Sequence, residues 1–235
     1  MKNLALCLFV MLTLMGCDPK TLQKTIDSIG KIPLTETQIA DGLKQALNLG
    51  VDSSVKNLSR LDGFYKSSYK ILLPQESRVV IDRLKSIPGF STLEEEAIKR
   101  INKAAEDAAS KAGPIFLQAV KDMTIADATN ILMGPKNAAT TYLNEKTYTK
   151  LYETFYPVLV ESMNKFGALD YWADAINTYN KIPFITKVNP DLANHVNTKA
   201  LDALFDQIAQ KELGIRSDIN QRTTDLLRQV FARQD

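Results

Sequence analysis

Cysteine, histidine and tryptophan are almost missing from these 235 residues, which hold two, one and one of them. Cys7 lies inside an N-terminal apolar run and Cys17 closes it. The remainder of the chain can therefore form no disulfide and no thiolate metal site. His195 is the only imidazole, and a metal would have only carboxylates to join it. The sequence predicts no metal site. A Ser-His-Asp triad would have to use His195, yet no Gly-x-Ser-x-Gly elbow is present; a surface or cap position near a helix start is expected for it. Also missing are a Walker-type glycine loop, a dinucleotide fingerprint and an Asp-rich calcium loop, so no cofactor is expected. No basic run occurs, and 29 Lys and Arg nearly balance 27 Asp and Glu. That balance excludes the clustered positive footprint of a nucleic-acid binder.

What the chain does have is an N-terminal address. Lys2 supplies positive charge, residues 4–15 are apolar except Thr13, and Leu14-Met15-Gly16-Cys17 follows. The run is shorter than the roughly 20 residues of a spanning helix and fits a secretory h-region. The Gly-Cys step looks like a bacterial lipobox, in which cleavage leaves Cys17 as a lipidated amino terminus. Diacyl or triacyl attachment gives the multiple chains that stable anchoring needs. The expected division is a lipoprotein signal peptide over 1–16, a lipidated N-terminus and tether over 17–34, and a folded domain over 35–235. The expected location is the cell envelope, facing the periplasm at the inner or outer membrane. Asp18 resembles an inner-membrane retention signal in enteric-type bacteria, which leaves the choice of membrane open. Loss of Lys2 with the leader leaves one basic residue more than the 27 acidic ones.

Apolar spacing predicts a mainly α fold, a single multi-helix, bundle-like domain. At 45% hydrophobic residues the chain can bury a substantial core. In the tether, Leu22, Ile26 and Ile29 are spaced for a short helix. Thr35 and Gln38 form a capping-box pair. Ile39, Leu43, Ala46 and Leu47 make a stripe, with Gly50 as its stop and a second helix over 52–61. Residues 64–73 have an ambiguous period and are expected as a short extended arm. A helix over 75–86 follows. Ser91 and Glu94 suggest another capping box, with Gly113-Pro114 ending that helix. Thr124 and Asp127 cap a short helix that stops at Gly134-Pro135. Helices over 136–144 and 147–166 follow, the second kinked at Pro157 and stopped by Gly167, then another over 168–181. Asn189-Pro190 reads as an N-cap and N1 pair opening a helix to Leu213, with a break near Asn197-Thr198. The last runs over 224–232.

Candidate chemistry is sparse. Asp170 and Asp174, like Asp202 and Asp206, share a helix face and suit a cation or acid–base work; solvated faces show such pairs often. Two polar clusters suit a ligand groove: Thr124, Asp127 and Asn130, and Arg222 with Thr223, Thr224 and Asp225. Both also have the composition of capped helix starts. Arg222, beside helix-start N–H groups, is the best single candidate for an anion.

Placed in order, Gln38-Ile39-Ala40-Asp41-Gly42-Leu43, Asp62-Gly63-Phe64, Asn102-Lys103-Ala104-Ala105-Glu106, Pro114-Ile115-Phe116, Met123-Thr124-Ile125-Ala126-Asp127-Ala128, Ala138-Ala139-Thr140, Ile215-Arg216 and Arg222-Thr223-Thr224-Asp225-Leu226-Leu227 cover nearly all of the chain beyond the leader. In these stretches the chain resembles an uncharacterised family of bacterial envelope proteins, catalogued as domain of unknown function 4197. The resemblance implies a mainly helical exported domain and brings no activity, cofactor or catalytic residue.

The reading is a lipid-anchored envelope protein that acts by binding, with a membrane partner through Cys17 and either an envelope protein or an apolar ligand as second partner. A carrier of an apolar small molecule or lipid predicts an enclosed cavity lined by residues such as Phe155, Leu159 and Trp172. A protein binder predicts a solid core with an exposed apolar patch. The enzymatic alternative, a hydrolase using Asp170 and Asp174, predicts that they converge in a cleft.

Overall fold

The Thr35–Gln38 capping box forms as its spacing predicts. The Thr35 hydroxyl accepts from the Gln38 N–H at 3.2 Å, and Gln38 Oε1 accepts from the Thr35 N–H at 2.9 Å. The computed structural model describes residues 33–126 and 128–235; the expected leader, the lipidation expected at Cys17, nearly all of the expected tether with the short helix expected there, and Asp127 lie outside the described residues. Among the described residues eight α-helices follow one another: α1 (Glu36–Leu58), α2 (Arg78–Leu84), α3 (Leu93–Asp122), α4 (Ala128–Met133), α5 (Ala138–Lys165), α6 (Ala168–Asn180), α7 (Leu192–Ser217) and α8 (Asp225–Phe231). The described residues form no strand. None of their helices is long and apolar enough to cross a membrane.

The four long helices close a ring: α1 packs on α3, α3 on α5, α5 on α7, and α7 back on α1. Its interior is filled by Leu43, Leu47, Ile101, Ala105, Phe116, Leu143, Phe155, Leu159, Leu201 and Leu204, each no more than 1% exposed. Phe116 and Phe205 tie α3 to α7 with ring centroids 5.3 Å apart. The short helices cover the outside, α4 on α1 and α5, α8 on α1, and α2 on α6.

Several expected breaks are absent. Gly50 does not stop α1, which absorbs residues 52–58 of the expected 52–61 helix. Its role is clearance: a Cβ at Gly50 would lie 3.0 Å from Ile208 Cγ2, and one at Gly42 would lie 2.7 Å from Val230 Cγ2. Both glycines let α7 and α8 approach the α1 backbone. Gly113-Pro114 does not end α3, which runs on through Pro114 to Asp122. Burial of Ala108, Ala109 and Ala112 before the proline and Phe116 and Val120 after it holds one continuous apolar face, and tertiary packing overrides the local breaker. The same reason joins the two helices expected over 136–166 into α5, with Pro157 inside it. The Ser91 box does not form: Thr92 is the N-cap of α3 and makes no side-chain cap bond. Asp191, rather than Asn189, caps α7. That helix passes through Asn197-Thr198 unbroken, with Asn197 fully buried.

The 64–73 segment forms no strand. Turns run through residue 69, and only residues 70–74 are free of helix and turn. Two side chains on one face of α3 take the place of a partner strand. The Asn102 amide donates to the Ile71 carbonyl and accepts from the Ile71 N–H, both at 2.8 Å. Glu106 accepts from the N–H groups of Phe64 and Tyr65 at 3.2 Å. The turn into this loop needs its glycine, since a Cβ at Gly63 would meet the Leu58 carbonyl oxygen at 2.5 Å.

A second buried polar device joins three helices. Glu212 and Arg216, one turn apart on α7, pair at 2.8 Å with side chains 0% and 3% exposed. The carboxylate accepts from the N–H groups of Ala139 and Thr140 and from the Thr140 hydroxyl, which satisfies the first turn of α5. The guanidinium donates to the carbonyls of Ile131 and Leu132 at the end of α4. One ion pair thereby caps one helix start and one helix end.

Candidate functional site

The groups with the most chemistry gather along one outer face of α7. His195, Lys199, Asp202 and Asp206 recur at helical spacing and, with residues 68–73 of the loop, line an open cleft of about 420 Å³. His195 Nε2 donates to the Leu72 carbonyl at 2.9 Å, so that nitrogen carries the proton and Nδ1 is the ring's remaining polar atom. The Tyr69 hydroxyl donates to Asp206 at 2.6 Å, and the Gln210 amide donates to both at 2.8 Å. Burial first, then the hydrogen bond to the Asp206 carboxylate and its charge, push the Tyr69 phenol up to about 12. Tyr69 is thus a fixed neutral donor near pH 7, too weak an acid for proton transfer there. Lys199 stands 3.9 Å from Asp202, Lys70 lies over the Tyr65 ring at 4.6 Å, and Leu72 is 58% exposed. Such a surface presents donors, acceptors and an apolar side chain together. It contains no activated nucleophile, and no metal-ligating cluster occurs among the described residues.

The sequence puts His195 near a helix start and pairs Asp202 with Asp206, and local pattern alone leaves the two features separate. The signal was available in the i, i+4, i+7, i+11 spacing of His195, Lys199, Asp202 and Asp206. Tyr69 carried no such signal, because it reaches the cleft from a loop.

The predicted site residues separate. Arg222 points inward and is 1% exposed. Its guanidinium donates to the Ile215 and Arg216 carbonyls at 3.0 and 3.1 Å and grips the Asp235 carboxylate at 2.6 and 2.7 Å. That carboxylate raises the Arg222 pKa and is itself held below the usual carboxylate range by Arg222. The structure places this side chain at the end of α7 as a cap. Thr224 is the N-cap of α8, accepting from the Leu227 N–H and donating to Gln45 at 2.7 Å. Asp225 faces solvent and pairs with Arg228. Thr124 lines a second open cleft, of about 470 Å³, with Met123, Tyr142, Lys146 and Lys150; its carbonyl accepts from the Tyr142 hydroxyl at 2.7 Å. Asn130 lies on α4 and is exposed.

Asp170 and Asp174 are both exposed and line neither of these clefts nor the two beside Trp172 and Tyr179. Phe155 and Leu159 are fully buried and also line none of the four. Trp172, 4% exposed, forms part of one open cleft with the start of α7.

No curated protein matches the chain. No solved structure matches it either. The family described as a protein of unknown function (DUF4197) matches residues 33–232. That span runs from just before α1 to just past α8, and the chain belongs to the DUF4197 family.

Proposed function

We propose that this is a lipid-anchored binding module of the bacterial cell envelope, held at a membrane through Cys17 and facing the periplasm. Its contact surface is the cleft along His195, Lys199, Asp202 and Asp206, and its partner is a polypeptide segment of another envelope protein. The cleft carries this reading. Charges of both signs, Lys70 and Lys199 with Asp202 and Asp206, stand beside exposed Leu72, with Tyr69 fixed as a donor, which suits a peptide backbone with mixed side chains. Tethering concentrates the module where such partners are. Asp170 and Asp174 are exposed and line none of the four clefts described, which favours binding over the carboxylate-hydrolase alternative. The burial of Phe155 and Leu159 gives the lipid-carrier alternative no enclosed chamber at those residues.

A photoreactive phenylalanine at Ser68, which lines the cleft, tests the reading in living cells. One stoichiometric protein adduct is expected, weakened by Y69F/D206N, with none from the same probe at exposed Glu145. Equal labelling from both positions, or lipid alone as the adduct, contradicts it.

A further inference from the structure

The loop between α6 and α7 holds an apolar side chain away from the rest of the fold. Phe184 is fully exposed, at 108% against 82% for Leu61. Its φ of +62° lies in the left-handed region, where a bulky aromatic is strained. The ring thus combines unfavourable exposure with an unfavourable backbone, and within the domain it gains no contact in exchange. The loop is nevertheless built to hold it there. The Asn180 amide donates to the Val188 carbonyl at 3.0 Å and accepts from the Val188 N–H at 3.1 Å, closing the neck. Phe184 is the middle residue between them. Pro183 before it is exposed and Ile185 after it is half-buried. Lys181 and Lys187, three residues to either side, are both exposed.

We propose that residues 181–187 form a finger that inserts Phe184 into the surface of an anionic bilayer, with Lys181 and Lys187 on the lipid phosphates. An aromatic tip between cations fits the interface, where rings lie at headgroup depth and lysines meet negative potential. The finger rests on the membrane-bound reading above and adds to it a second point of contact, one that orients the domain on the bilayer.

The test uses the full gene expressed in a bacterium, the protein purified from envelopes, and F184W and L61W variants. Each is mixed with phosphatidylethanolamine–phosphatidylglycerol vesicles with brominated acyl chains, which quench indoles at that depth. Trp172, 4% exposed, supplies a shielded background. F184W is expected to lose its added emission and L61W to keep it, and K181E/K187E in the F184W chain is expected to reduce the loss. Equal behaviour of F184W and L61W overturns the finger, as does docking of Phe184 into a protein pocket with no quenching. Intact mass of the same samples reads the state of Cys17, so a loop that fails to insert is distinguished from an anchor that was never attached.

Discussion

Glu212 is a carboxylate with no exposed side-chain surface, and it holds together the ends of helices remote in sequence. Replacing it by Gln leaves the Arg216 guanidinium buried without its counter-charge, a loss of about 3–5 kcal/mol for a broken buried pair. Urea unfolding of E212Q should show that loss at unchanged helix content; a change under 1 kcal/mol contradicts the clamp. Asp107 makes a pH-dependent contribution. Burial acts to raise its pKa, but Lys165, Ser162 and Lys111 outweigh it and lower the carboxyl to about 2. A depressed folded pKa stabilises fully above the ordinary carboxylate range and loses that stabilisation as pH falls through about 2. The stability gap between wild type and D107N should therefore be widest near pH 6, shrink below about pH 4 and close only below about pH 2. At Phe184, Asn relieves the left-handed strain that Phe bears, and F184N should melt about 2–4 °C higher. None of this was legible in the sequence. Arg222, read there as an anion binder, is a buried cap because Asp235 and two α7 carbonyls surround it. Burial of a charge depends on distant partners that spacing along the chain does not reveal.

At the scale of elements, the sequence located helical faces well and helix ends less well. The stripe of Leu43, Ala46 and Leu47 and the capping of α1 and α8 follow local rules, and local rules hold there. The misread stops are Gly50 and Gly113-Pro114, where a long apolar face continues across a weak residue. Glycine on a helix is ambiguous between a stop and a clearance, and only the neighbour decides. At Gly42 that neighbour is Val230. G42A places a Cβ at 2.7 Å from Val230 Cγ2 and should cost about 1–3 kcal/mol by overpacking, read as a lower denaturation midpoint. Pro114 is exposed on α3, lacks the N–H that Ser110 would receive, and sits where the ring opposes the preceding turn. P114A should stabilise the protein by about 1–3 kcal/mol, visible in the same assay; destabilisation would show that the bundle depends on the proline's distortion. The 64–74 loop was misread for a different reason. Its turn at Phe64 bonds to Glu106 and its extended Ile71 bonds to Asn102, both on a helix, and such partners leave no alternation in the loop itself.

For the whole molecule, the ring of α1, α3, α5 and α7 matches the helical bundle that hydrophobic spacing predicts, and the family match spans it. The core is occupied by side chains throughout that ring, which directs functional interpretation to its surface: the His195–Asp206 cleft, and the Phe184 finger at the α6–α7 loop. Half of the cleft was legible as a periodic polar face on α7. The other half comes from Tyr69 and Leu72, brought there by the Asn102 and Glu106 bonds. Both surface proposals require that the domain be held at a membrane, so the state of Cys17 is decisive. Intact mass spectrometry of the protein extracted from bacterial membranes measures it directly. The account predicts a chain that begins at Cys17, carries the mass of diacylglycerol or of three acyl chains, and lacks residues 1–16. A free Cys17 thiol, or a leader still attached, would contradict it.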